Sequence, residues 1–166
     1  MHFTEPVYRN PYWPTWPLLE VTRGCTHNKC KFCTMYKGVK FGVPTMETIE
    51  EDLRELAATV PHARTIQLLS ANPLAPPYDK MAPILEKVNE YLPEMEHIYT
   101  VGRVTDLRNK SVEQLRSLRD LGMNEISLGT ESGDGWTLDR LRFLERDMLE
   151  EQAERQKADE MKRKGN

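Results

Sequence analysis

The chain has 166 residues and a mass of 19.3 kDa, the length of one domain able to bury a real hydrophobic core. Its 23 basic and 26 acidic side chains leave a net charge of −3, which argues against general nucleic-acid binding. No run of about 18 apolar residues is present, so no membrane span is expected. The opening Met-His-Phe-Thr-Glu-Pro lacks the basic-then-apolar layout of a secretory signal, and the expected location is the cytoplasm.

Residues 1–17 carry four prolines between Pro6 and Pro17, together with Tyr8, Tyr12, Trp13 and Trp16. Such proline density forbids a helix and predicts an extended wrapper with packed aromatics. It would serve as a lid over the bottom of a core or as an aromatic wall facing a substrate. A first strand is expected at 18–22, ending at Arg23-Gly24. Ile49, Leu53, Leu56, Ala57 and Val60 then mark one face of a helix over 45–60, capped by Thr45 and stopped by Pro61. Strand two falls at 65–69. A second helical stripe runs through Met81, Ile84, Leu85, Val88 and Leu92, with Pro83 expected in its first turn. Strand three is expected at 97–101. The sequence Ser111-Val112-Glu113-Gln114 forms a capping box for a third helix, which buries Leu115 and Leu118 and ends at Gly122. Strand four is expected at 125–129.

Strands alternating with helices predict parallel strands joined by helical crossovers, in an α/β sheet or barrel. Ligands of such folds gather at the carboxyl ends of the strands. Four polar segments fall there: the loop from Cys25, Ser70-Ala71-Asn72, Arg103 to Asp106, and Glu131 to Asp134. Residues 139–166 differ from the rest, with eight acidic and eight basic side chains and no β-branched residue. They predict a charged, solvated helix with a thin stripe at Leu141, Leu144 and Met148.

All three cysteines, Cys25, Cys30 and Cys33, fall on one loop after strand one. In a reducing compartment that clustering points to metal or cluster chemistry. Three thiolates suit a [4Fe–4S] cluster with one iron left open. A closed zinc site needs a fourth ligand, for which His27 is the candidate, at an awkward spacing from Cys25. A non-catalytic zinc or iron–sulfur module is therefore the alternative. His62 and His97 precede strands two and three, at the other end of a parallel sheet.

The run Cys25-x4-Cys30-Lys31-Phe32-Cys33 resembles the cluster loop of the radical S-adenosylmethionine (SAM) superfamily, whose usual spacing is Cys-x3-Cys-x-aromatic-Cys. Its first gap is one residue longer here. The approach Leu19-Glu20-Val21-Thr22-Arg23-Gly24 is also similar, and Gly129-Thr130-Glu131-Ser132-Gly133 resembles a Gly-x-Glu-Ser-Gly run that ends strand four in some branches. The likeness covers about residues 10–140. It implies that Cys25, Cys30 and Cys33 hold the cluster and that Phe32 shields the adenine or the cluster. It places Ser70, Ala71 and Asn72 where the family often has Gly-Gly-Glu, presenting backbone groups to the methionine amino group. By the same analogy Glu131 contacts the SAM ribose or amino group and Arg103 pairs with the methionine carboxylate. A local turn or ion pair with Asp106 is the competing role for Arg103.

The implied activity is one-electron cleavage of SAM to methionine and a 5′-deoxyadenosyl radical, fed by flavodoxin or ferredoxin. The family core winds six strand–helix units, and this chain supplies about four. The expected fold is thus a partial parallel (β/α) barrel over residues 1–138 followed by the helical tail of 139–166. A truncated, weakly active protein is expected, self-associating through the open edge of strand four.

Overall fold

The computed structural model describes residues 1–4, 6–30, 32–130, 132–134 and 137. The charged tail expected at 139–166 lies outside the described residues, as does Glu131. The elements run β1 (Leu18–Glu20), α1 (Met46–Thr59), β2 (Thr65–Leu69), α2 (Tyr78–Tyr91), β3 (His97–Arg103), α3 (Val104–Arg108), α4 (Val112–Asp120) and β4 (Glu125–Gly129). Two compact units are present: residues 1–28 with 35–129, and residues 29–34 with the stretch from 130. All eight elements belong to the first unit.

The four strands form one parallel sheet in sequential order, β1-β2-β3-β4. Leu19 sits beside Leu68, Ile66 beside Ile98, and Thr100 beside Ile126. Because side chains alternate along a strand, one face presents Leu19, Ile66, Leu68 and Ile98. These join Ile49, Leu53 and Leu56 of α1, Met81, Leu85 and Val88 of α2, and Leu118 of α4 in a continuous core. β1 and β4 are the edges, each with a single partner strand among the described residues.

The sheet's other face carries Glu20, Gln67 and Tyr99, all buried. The proline-rich opening segment covers them. Thr4 donates its backbone N–H and its hydroxyl to the Glu20 carboxylate, at 2.7 and 2.8 Å. The Asn10 N–H reaches Gln67 Oε1 at 3.3 Å, and Trp13 packs on Tyr99 with ring centroids 4.9 Å apart. The wrapper expected at 1–17 packs on the sheet through these contacts. It is a strap across the sheet face opposite the helices, held by side chains that a parallel strand aims away from them.

Local chemistry explains where each element stops. Thr45 caps α1, accepting from the Thr48 N–H at 3.3 Å, and Val60 ends it just before Pro61. Val60, expected on the buried face, is exposed at that end. Helix α2 starts at Tyr78, earlier than the apolar stripe suggests, so Pro83 lies in its second turn, where it lacks the N–H that would bond to Asp79. Ser111 and Gln114 form the reciprocal box that opens α4, at 3.2 and 2.9 Å. Gly122 follows with φ +95°, the left-handed bend that sends the chain into β4. β1 is shorter than expected because Arg23 leaves the sheet to pair antiparallel with Gly42, its N–H reaching the Gly42 carbonyl at 2.9 Å. β3 is longer, extending to Arg103, which pairs with Gly129.

Gly102 of β3 lies under Leu74, where a Cβ atom would stand 2.7 Å from Leu74 Cβ. Leu74 is itself fully buried, so the overlap has nowhere to relax. Gly102→Ala should therefore lower stability by about 1–3 kcal/mol in urea denaturation. An unchanged midpoint would contradict this packing.

Candidate functional site

The carboxyl ends of β1, β2 and β3 meet in a set of buried polar contacts. Cys25 follows Gly24, whose φ of +67° and closeness to the Val39 carbonyl (2.8 Å from an added Cβ) require glycine. The Cys25 sulfur accepts the Asn28 N–H at 3.5 Å. Asn28 adopts the left-handed conformation, φ +48°, and its amide donates to the Tyr36 carbonyl at 2.8 Å. The return of the chain after the cysteine loop thus shapes the loop's start.

Asn72, beyond β2, is completely buried. Its Oδ1 accepts the Thr26 N–H at 3.2 Å, and its Nδ2 donates to Thr26 Oγ1 at 2.6 Å and to Asp106 Oδ2 at 3.1 Å. Asp106 Oδ2 also accepts the Arg103 N–H at 2.8 Å, which starts α3. Lys110, nearly buried, donates to the Leu74 carbonyl at 2.7 Å and the Asp106 carbonyl at 3.2 Å. Burial pushes its amine below the ordinary lysine range, against the opposing pull of the Asp106 charge.

These contacts place the residues singled out from the sequence. The Asn72 side chain is spent within the protein, with both amide hydrogens and its oxygen engaged. Ser70 has φ +118°, rare for a residue with a Cβ, and donates its hydroxyl to the Gly24 carbonyl at 3.1 Å. Ala71 follows it, half-buried. Arg103 closes β3 on the face opposite the helices. Asp106 takes the backbone N–H of Arg103 and forms no ion pair with its guanidinium, which has no carboxylate partner among the described residues. His62 pairs with Glu94, and His97 meets Asn124, at the amino ends of β2 and β3, away from Cys25.

In the second unit, Cys30 and Cys33 are half-buried and Phe32 is 57% exposed. No disulfide joins any of the three cysteines. Among the described residues, no three His, Cys, Asp or Glu side chains are gathered into a metal-binding group. The donor chemistry fits an iron–sulfur cluster: three soft sulfurs on one short loop, the first already accepting a backbone N–H.

Residues 19–154 match the family model of the radical SAM superfamily. No curated protein and no solved structure gives a match.

Tyr36, which a reading of the sequence does not single out, sits beside this site. Burial, chiefly, raises its phenol to about 12; a hydrogen bond with Ser70 opposes the rise, and the nearby Tyr8 and Glu20 add to it. Unfolded tyrosine ionises near pH 10, so the neutral phenol contributes its stability in full below pH 10 and loses it as the pH rises through about 12. Titration of tyrosinate absorbance should show one phenol ionising last, and Tyr36→Phe should remove that late phase. A late phase that survives in Tyr36→Phe would overturn the assignment.

Proposed function

This chain belongs to the radical SAM superfamily, and from that membership we propose that Cys25, Cys30 and Cys33 ligate a [4Fe–4S] cluster that binds and reductively cleaves SAM. Three thiolates leave one iron open, and the cluster supplies the electron that breaks a carbon–sulfur bond of the sulfonium. The observation that carries the reading is the position of the cysteine loop. It leaves the carboxyl end of β1, where the loops after β2 and β3 bring Ser70, Ala71 and Arg103.

Arg103 is the residue for the methionine carboxylate. Its guanidinium is a planar fork without a carboxylate partner among the described residues, and β3 fixes its backbone. Ser70 and Ala71 present backbone groups to the amino group of SAM, and the unusual φ of Ser70 supports that role. The amide of Asn72 acts within the protein. Phe32 shields the cluster or the adenine, and Glu131 contacts the ribose or amino group. The electron donor is a flavodoxin or a ferredoxin, and the cytoplasm supplies both the reducing conditions and SAM. A second copy of the chain adds along the edge of β4 that has no partner strand among the described residues.

Anaerobic reconstitution of the full chain should give a brown protein with about four irons and four sulfides. Cys30→Ala should lose most of that iron, and retention of all of it would contradict the ligand set. In a loaded protein, Arg103→Ala should weaken SAM binding about tenfold or more by equilibrium dialysis, with iron content unchanged. Unaltered SAM affinity would remove Arg103 from the site.

A further inference from the structure

The contacts around Asn72 extend the cluster reading. We infer that Asn72 and Thr26 are positioning residues that hold the Cys25 peptide in register with Arg103. The inference rests on the ligand role of Cys25, but its geometry is independent of it.

Thr26 is joined to Cys25 by a single peptide unit, whose N–H points at Asn72 Oδ1, 3.2 Å away. The Thr26 hydroxyl accepts from the same amide at 2.6 Å. Two contacts to one planar group fix both the tilt and the rotation of that peptide, which a single hydrogen bond would not. On its far side Asn72 donates to Asp106 Oδ2, and that same oxygen accepts the Arg103 N–H. One buried amide therefore links the residue after the first thiol to the backbone of the guanidinium. Thr26 and Asn72 are 46 residues apart, and Asn72 and Asp106 are 34 apart. The chain itself imposes no such register.

The burial of the bracket makes it stiff. Asn72 is wholly buried, Asp106 nearly so, and Lys110 clamps α3 to the Leu74 carbonyl from below. Removing the Thr26 hydroxyl leaves a buried amide hydrogen without an acceptor, which favours reorientation of the whole side chain. Thr26 itself is exposed, so it can be altered without opening the core.

The test uses Thr26→Val, which keeps the shape and removes the acceptor oxygen, and Thr26→Ser, which restores it. In the apo-protein, amide hydrogen exchange of the segment 24–28 should quicken by about five- to tenfold in Thr26→Val and return in Thr26→Ser. Exchange at Ile66 and Leu68 should stay unchanged in both, showing that the core is intact. In the reconstituted protein, iron release to a chelator should quicken by a similar factor in Thr26→Val and be rescued by serine. Unchanged exchange in Thr26→Val would overturn the inference. Faster exchange with unchanged iron release would also overturn it, by reducing the bracket to a purely structural tie. A wild-type chain that takes up no iron would overturn the cluster reading, and the positioning role with it, whatever the exchange data show.

Discussion

Parallel strands joined by helical crossovers carry every strand's exit to the same edge of the sheet, and that edge must then bury polar loop backbone without leaving it unpaired. Here the fully buried amide of Asn72 meets much of that demand. It ties the loop after β1 to the start of α3, and Asp106 and Lys110 complete the tie to β3 and to the loop after β2. The cysteine loop begins at this tie, so the placement of the first thiol is inherited from sheet register and one side chain. Removing the amide would strand Thr26 and Asp106 together, which is why the contacts stand or fall as a set.

The strap formed by the opening segment follows from the same topology. Among the described residues α1, α2 and α4 pack on one face, and on the other Glu20, Gln67 and Tyr99 have polar atoms and a ring that need cover. Thr4, Asn10 and Trp13 provide it in sequence, as an extended segment can, each meeting the next strand along. The strap and the helices thus bury opposite faces of one four-stranded sheet, and this chain covers with its own opening residues the face that a closed barrel turns inward.

Much of this was legible in the sequence because it is local. The stripes at Ile49, Leu53 and Leu56 and at Met81, Leu85 and Val88 are helical periodicity, and the four apolar runs became the four strands in the expected order. Membership of the radical SAM superfamily was legible in the cysteine spacing and Phe32. The five-residue helix α3 was not, because Val104–Arg108 is too short to show a period and its start depends on an Asp106 contact. The role of Asn72 was hidden for a deeper reason. Its partners lie far along the chain in both directions, and an asparagine in a loop carries no mark of being buried. Nor could residues alone tell whether Asp106 would meet the guanidinium of Arg103 or its backbone; packing at the end of β3 chose the backbone.

The central claim is that this chain holds a cluster with one iron open to SAM. Electron paramagnetic resonance of the reduced, reconstituted protein, recorded before and after SAM is added, tests it most directly. Binding at the open iron should replace the initial signal with one of different g values, and the change should be absent with 5′-methylthioadenosine, which lacks the amino and carboxylate groups of the methionine part. A cluster signal indifferent to SAM, or a colourless zinc protein with no signal at all, would contradict the account.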